Sequence, residues 1–175
     1  EGEEVWHSEF GYNGFRYAQV FCENAHLLSI QARGFHTDLP SAGCFQSDHP
    51  LINQLQEALL RSTRTNFHHM PTHCPHREKN GWTGDTMLSS EQMLTNFGMR
   101  AFLTKWSRDM RTAQRPQGQI PCIIPSTGWG YYGLMGPDWS SALINVPYNI
   151  YLYNGDLSIL RKNYDAIKRN CDFME

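Results

Sequence analysis

The sequence predicts a mainly α-helical chain in which two short strands near the start precede five helices. Between residues 10 and 20, aromatic and apolar residues alternate with polar ones, which is the period of a half-buried strand. From residue 51 onward, apolar residues recur at intervals of three and four, which is the period of an amphipathic helix. Clusters of proline, glycine and asparagine separate these stretches where turns are expected.

The predicted strands lie between residues 10 and 38. The pair Asn13-Gly14 is a turn signal inside the first, and residues 27–35 form a second apolar run. We interpret both as the closing strands of a β-domain. A turn-rich passage from residue 40 then leads to Pro50, a residue that suits the first turn of a helix.

The first three helices are predicted from apolar spacing and end signals. The first begins at Pro50 and runs to about residue 66. The second is expected to begin at Asp85, with its carboxylate as the N-cap, and to end at Gly98. The third follows directly and fades into the polar stretch at residues 114–118.

A long loop at residues 116–138 precedes the last two helices. It holds four prolines and five glycines together with aromatic residues such as Trp129, and a loop of this kind is usually functional or disordered. The fourth helix is expected from Trp139, with a kink at Pro147. Residues 154–156, Asn-Gly-Asp, should end it and cap the fifth. Such consecutive hairpins occur in bundles, solenoids and α/α barrels, although no internal repeat supports a solenoid.

Composition narrows the class of ligand. The 175 residues are 40% hydrophobic and 18% charged, which is typical of a globular protein. With a formal net charge of -2, neither nucleic acid nor an anionic membrane is an expected partner. Aromatic residues make up 13% of the chain and favour a neutral ligand such as a carbohydrate.

The remaining compositional signals concern compartment and cysteine chemistry. Five cysteines without a CxxC pair indicate neither a disulfide scaffold nor a zinc ribbon. No apolar run is long enough for a membrane span, and the acidic first residues do not fit a signal peptide. Because the chain also lacks an initiator methionine, we interpret it as a fragment of a longer protein. Its location is unknown from the sequence, and a periplasmic or extracellular one is our guess.

Residues 71–85, PTHCPHREKNGWTGD, carry the densest chemistry in the chain. Two prolines and two glycines indicate a shaped loop that can direct side chains to one point. Glu78 and Asp85 are candidates for proton transfer or for binding a polar ligand, Arg77 can orient a carboxylate, and Trp82 offers a face for a sugar ring. The alternatives are a surface ion pair of Glu78 with Arg77 or Lys79, a helix cap for Asp85, and a core position for Trp82.

The run CPHREKNGWTGD at residues 74–85 closely resembles the signature loop of the α-L-rhamnosidases of glycoside hydrolase family 78. Further similar stretches are GFRY at residues 14–17, FLTKW at 102–106, PDW at 137–139 and NGD at 154–156. The resemblance implies a partial (α/α)6 barrel of the six-hairpin glycosidase type, preceded by the terminal strands of a β-sandwich. Residues 1–45 would be the end of the β-sandwich domain and a linker, and residues 46–175 the N-terminal part of the catalytic barrel.

The resemblance also implies an activity. The family releases terminal α-L-rhamnose from glycosides or polysaccharides with inversion and needs no cofactor. By position in the motif, Glu78 falls where the family has its general acid. Its general base lies later in the barrel, so this chain alone is expected to be inactive. The substrate-binding residues implied or expected are His73, Arg77, Trp82, Asp85 and Trp139.

Two departures from the family pattern leave room for other functions. His73 and Ser141 stand where relatives commonly carry aspartate, so a non-catalytic carbohydrate-binding homologue is the first alternative. A metal-binding module is the second, built on the local cluster His68, His69, His73, Cys74 and His76. We predict no metal there, because two intervening prolines make a tetrahedral arrangement awkward. For the acid role, burial against aromatic surface is expected to raise the pKa of Glu78.

Overall fold

The computed structural model describes residues 2–126, 130–132 and 136–175. Its described part contains six helices, which are α1 (Pro50–Thr65), α2 (Thr83–Asn96), α3 (Arg100–Ala113), α4 (Pro137–Ser140), α5 (Ala142–Asn154) and α6 (Leu157–Met174). The prediction of a mainly helical chain is confirmed. No described helix is both long enough and apolar enough to cross a membrane.

The junction between α5 and α6 forms as the sequence predicts. Gly155 adopts the left-handed backbone, with φ at 67°, and donates its N–H to the Tyr151 carbonyl at 2.8 Å. The Asp156 carboxylate then accepts the N–H of Ser158 at 3.0 Å. The same carboxylate pairs with Arg100 at 2.7 Å, which ties α6 to the start of α3.

Two helix starts differ from the prediction. Helix α2 begins at Thr83, so Asp85 lies in its first turn and is not the N-cap. The start moves because the Thr83 N–H is taken by the Cys122 carbonyl at 2.9 Å, a long-range contact that local spacing does not reveal. After the long loop, a single turn, α4, precedes α5, since Pro137 starts a helix of its own.

The two strands predicted between residues 10 and 38 are absent from the structure. Residues 2–39 form no strand, and their aromatic side chains lie in solvent, as at Phe10 (90% exposed) and Tyr17 (88% exposed). A strand is stable only when a neighbouring strand pairs with its backbone groups and covers one face. No described part of the chain offers such a neighbour to this segment.

Helix α5 lies at the centre of the helical part and packs against α2, α3 and α6. Helix α1 stands to one side, with Thr63 as its only buried residue. It is held to α2 by hydrogen bonds, for example from Gln56 to Asn96 at 2.6 Å. The largest fully buried apolar side chains are Trp106, Phe67, Phe97, Met99, Leu103, Met110, Ile123, Ile124, Leu143, Ile150 and Val146.

Residues 121–124 of the long loop cross the segment that carries the predicted site. The N–H of Ile124 donates to the Gly81 carbonyl at 2.8 Å, and the Ile124 carbonyl accepts the indole N–H of Trp106 at 3.3 Å. A Cβ on Gly81 would lie 2.2 Å from that carbonyl oxygen, so only glycine fits. The predicted aromatic Trp129 lies outside the described residues.

Candidate active site

Residues 73–80 form a tight loop that closes on itself. The N–H of His73 donates to the Asn80 carbonyl at 2.8 Å, while the Cys74 carbonyl accepts the N–H groups of Arg77 at 2.9 Å and Lys79 at 3.3 Å. Cys74 and Lys79 both adopt the left-handed backbone, with φ at 46° and 57°, which residues other than glycine rarely do. This strained turn agrees with the prediction of a shaped loop.

The turn and the first turn of α2 bring together four polar groups. The Trp82 indole Nε1–H donates to Glu78 Oε2 at 2.8 Å. His73 Nδ1 lies 3.7 Å from the same oxygen, and His73 Nε2 lies 3.5 Å from Asp85 Oδ1. The imidazole therefore stands between the two carboxylates, and all three side chains are 42–46% exposed. A polar ligand can reach them from solvent.

Trp139 forms the apolar side of this cluster. Its ring meets that of Trp82 edge to face, with centroids 6.5 Å apart and planes at 71°. It also lies against Gly84, where a Cβ would approach the indole to 3.1 Å. The absence of a side chain at Gly84 is thus what lets α4 approach α2. The two indoles give the site an aromatic wall beside two carboxylates.

Arg77 is not part of this cluster. Its side chain is exposed and makes no ion pair with a carboxylate among the described residues, so the carboxylate-orienting contact expected of it is not found. Lys79 does not pair with Glu78 either. Its ammonium donates to the Tyr12 carbonyl at 2.7 Å and lies 4.4 Å from the centre of that ring. The surface ion pair considered for Glu78 is therefore absent.

The pKa of Glu78 shifts in the direction opposite to the expected one. The hydrogen bond from Trp82 is the main cause that lowers the pKa of this carboxyl group; partial burial opposes it, and the nearby imidazole of His73 adds to the lowering. The expectation of a raised pKa is wrong for this structure, because the hydrogen bond and the imidazole together outweigh burial. The side chain is still 42% exposed, and the indole N–H of Trp82 is directed at its oxygen.

Cys74 also belongs to this cluster. Its side chain is half-buried, and Sγ lies 3.9 Å from His73 Nε2. Burial and the Glu78 carboxylate raise the pKa of the thiol. The signal that could have revealed it is its position next to His73 and four residues before Glu78.

The wider histidine cluster considered from the sequence does not assemble. His68 is buried against Tyr12, with ring centroids 4.0 Å apart, and its Nε2 lies 3.0 Å from the Phe35 carbonyl. Burial lowers the pKa of this imidazole. The second departure, Ser141, donates its hydroxyl to Met87 Sδ at 2.9 Å. Of the two departures, His73 is the one that lies between the carboxylates.

Comparison with known proteins gives one consistent result. Residues 40–175 match the family described as the bacterial α-L-rhamnosidase six-hairpin glycosidase domain. An α-L-rhamnosidase of Formosa agariphila is 31% identical over 174 residues, covering 97% of this chain and 19% of that protein. An α-L-rhamnosidase of Streptomyces avermitilis is 33% identical over 163 residues, covering 91% of this chain and 16% of that protein.

Solved structures of α-L-rhamnosidases are similar to this chain as well. An α-L-rhamnosidase from Dictyoglumus thermophilum superposes with a TM-score of 0.75 at 34% identity, over 79% of this chain and 16% of that one. The structure of the Streptomyces avermitilis α-L-rhamnosidase complexed with L-rhamnose superposes with a TM-score of 0.71 at 30% identity. The match covers 77% of this chain and 13% of that one. The chain thus spans less than a fifth of the length of the curated relatives it matches.

Proposed function

Because this chain belongs to the bacterial α-L-rhamnosidase six-hairpin glycosidase family, we propose that it is one part of an inverting glycoside hydrolase that releases terminal α-L-rhamnose, or a close stereochemical relative, from glycosides or polysaccharides. The observation that carries the proposal is the position of Glu78, which contacts Trp82 and His73 on a loop facing solvent. Protonation of a glycosidic oxygen requires a positioned carboxyl group, and the aromatic wall beside it can contact a sugar ring.

We propose that residues 46–175 supply the first hairpins of the catalytic barrel and that residues 1–45 end a preceding β-sandwich. Large apolar side chains in the latter stretch are exposed, including Trp6 at 87% and Phe21 at 82%. A run of exposed aromatic residues marks a surface that another part of a protein covers. The missing neighbour strands of a sandwich would cover them and pair with their backbone.

In this proposal Glu78 is the general acid. In an inverting glycosidase the acid protonates the leaving oxygen while a base about 6.5–9.5 Å away activates water across the ring. Trp82 fixes the orientation of the carboxyl through its N–H. The base would come from a later hairpin of the barrel.

The lowered pKa of Glu78 sets a requirement on the substrate complex. An acid must hold its proton when the sugar is bound, and the unliganded site favours the anion. A sugar seated between the indoles would exclude water from the carboxyl group, and desolvation raises a carboxyl pKa. The proton is thus acquired on substrate binding in this proposal.

The remaining side chains of the cluster suit a hydroxyl-rich ring. Asp85 can accept hydrogen bonds from sugar hydroxyls, and His73 can donate one and accept one. Trp82 and Trp139 can contact the apolar face of a deoxyhexose. Arg77 would act only if it turned toward a bound ligand.

The product's stereochemistry tests the proposal. The full-length protein containing this chain would be mixed with an aryl α-L-rhamnoside and followed by proton NMR from the first turnovers. We expect the β anomer of L-rhamnose to appear first and then to mutarotate. Initial release of the α anomer would contradict inversion, and sugar binding without hydrolysis would favour the non-catalytic alternative.

A further inference from the structure

His73, Cys74 and Glu78 each offer one donor atom to a common region of space. An imidazole nitrogen, the thiol sulfur and a carboxylate oxygen all lie within 4.8 Å of one another. A fourth donor is near, because Asp85 Oδ1 lies 3.5 Å from His73 Nε2. The proposed hydrolase chemistry uses the carboxyl groups but gives no role to the sulfur.

These separations are close to those of a tetrahedral zinc site. With zinc bonds of about 2.0–2.3 Å, neighbouring ligand atoms lie about 3.3–3.6 Å apart. The distance from Cys74 Sγ to His73 Nε2 is 3.9 Å, and that from His73 Nε2 to Asp85 Oδ1 is 3.5 Å. A shift of a few tenths of an ångström brings each of these two pairs to such a spacing. Asp85 is not one of the three donors that lie within 4.8 Å of one another, so its side chain must also turn toward Cys74 and Glu78.

Although the sequence predicts no metal at the histidine cluster, we propose that His73 and Cys74 of that cluster and Glu78, with Asp85 as the fourth donor, form a binding site for a thiophilic divalent cation such as Zn²⁺. The thiolate and imidazole favour zinc over Mg²⁺ and Ca²⁺, which take oxygen ligands, since only two of the four donors are oxygens. Cys74 binds as the thiolate, and its proton passes to water.

The loop backbone holds the donors in place without a cation. Cys74 is fixed in the left-handed region by the two N–H groups that its carbonyl accepts, and His73 is fixed by its bond to Asn80. A preformed site loses little conformational freedom on binding. The donors are also partly exposed, which gives the ion a path from solvent.

The inference goes beyond the proposed hydrolase and is tested without any measurement of activity. Its consequence for that enzyme is that the cation and the glycosidic oxygen would compete for Glu78. Binding by the isolated chain would stand even if the full-length protein proved not to hydrolyse rhamnosides.

The test is titration of the reduced 175-residue chain with Zn²⁺ by calorimetry and with Co²⁺ by absorption spectroscopy. We expect one equivalent of Zn²⁺ to bind and Co²⁺ to give a thiolate-to-metal charge-transfer band. Cys74→Ser should abolish the band, and both it and His73→Asn should weaken Zn²⁺ binding by at least about tenfold.

Matched controls separate this site from adventitious binding. Cys44→Ser removes an exposed thiol elsewhere, and His69→Asn removes a neighbouring imidazole at a backbone that asparagine tolerates. Both should keep the band and the affinity. Glu78→Gln keeps the loop fold and should also weaken binding. The proposal is overturned if wild type binds no stoichiometric Zn²⁺, or if Cys44→Ser and Cys74→Ser lose affinity equally.

Discussion

Two neighbours of Glu78, Trp82 and His73, both stabilise its ionised carboxylate. The indole N–H of Trp82 donates to Oε2 at 2.8 Å, and His73 Nδ1 lies 3.7 Å from that oxygen. Both contacts favour the ionised carboxylate. The members of the cluster could be predicted because most lie within one short motif. The direction of the pKa shift could not, since it depends on where one indole N–H points.

Trp82→Phe tests this hydrogen bond. The variant keeps an aromatic ring against Trp139 but loses the donor, so the pKa of Glu78 should rise toward its ordinary value. Carboxyl carbon chemical shifts of the labelled chain, followed by NMR over a pH titration, measure it. Trp6→Phe, at a side chain 87% exposed, is the control and should leave the titration unchanged. An unaltered Glu78 titration in Trp82→Phe would refute the assignment.

At the scale of elements, the site depends on contacts between the shaped loop and residues 121–124. Helix ends that are set locally, such as Gly155 and Asp156, could be predicted from the sequence. The start of α2 could not, because the Cys122 carbonyl takes the N–H of Thr83 across the fold. The predicted strands are absent because each needs a neighbouring strand, and the spacing of apolar residues does not show whether one is present.

Gly81→Ala is expected to disturb the crossing of these two segments. The new methyl group would lie 2.2 Å from the Ile124 carbonyl oxygen, so backbone must move. Overpacking of this kind costs about 1–3 kcal/mol. Urea unfolding followed by circular dichroism gives the free energy of unfolding. Gly34→Ala is the matched control, because a Cβ at that position meets nothing within 4 Å. Equal free energies of unfolding for the two variants would contradict the close contact between Gly81 and Ile124.

Asp156 should contribute to stability in a pH-dependent way. Its hydrogen bonds from Ser158 and Arg100 lower its pKa from 3.8 to about 2. The folded state therefore binds this proton less readily than the unfolded state, so the contribution is present above pH 3.8 and is lost as the pH falls toward 2. Asp156→Asn retains a capping side chain but loses the charge, and its Tm should fall less steeply over that interval than that of wild type.

Asp165→Asn provides the comparison for this pH dependence. It removes an exposed carboxylate from the same helix. This carboxylate makes no ion pair among the described residues. Its Tm should follow the wild-type curve between pH 4 and pH 2. Identical curves for Asp156→Asn and wild type would show that Asp156 is not linked to folding.

At the scale of the whole molecule, the proposed function makes this chain one side of an active site. It spans 16–19% of curated α-L-rhamnosidases, yet it superposes on solved ones with TM-scores above 0.7. The six-hairpin architecture was expected from the resemblance of the loop motif and of four further stretches, because helical periodicity alone did not separate bundles, solenoids and α/α barrels. In the proposed domain division, the exposed aromatic residues at 2–39 are covered by the rest of a β-sandwich.

The 175-residue chain by itself should not hydrolyse an aryl α-L-rhamnoside. The proposed general base lies outside it, and an acid without a base leaves the attacking water unactivated. Release of the aryl alcohol, measured against a buffer blank, is the readout. The full-length protein at the same molar concentration is the positive control. Turnover by the isolated chain that survives further purification would contradict the proposed division of the site.

The most direct test of the account compares wild type and Glu78→Gln in the full-length protein on two α-L-rhamnosides with poor and good leaving groups. A general acid contributes about 10²–10⁴-fold, and it matters least when the leaving group needs no proton. We expect Glu78→Gln to lose that factor in kcat/KM on the poor leaving group and much less on the good one. Glu57→Gln, on the exposed face of α1, should match wild type on both. Equal losses by Glu78→Gln on the two substrates, or none on either, would contradict the acid role of Glu78.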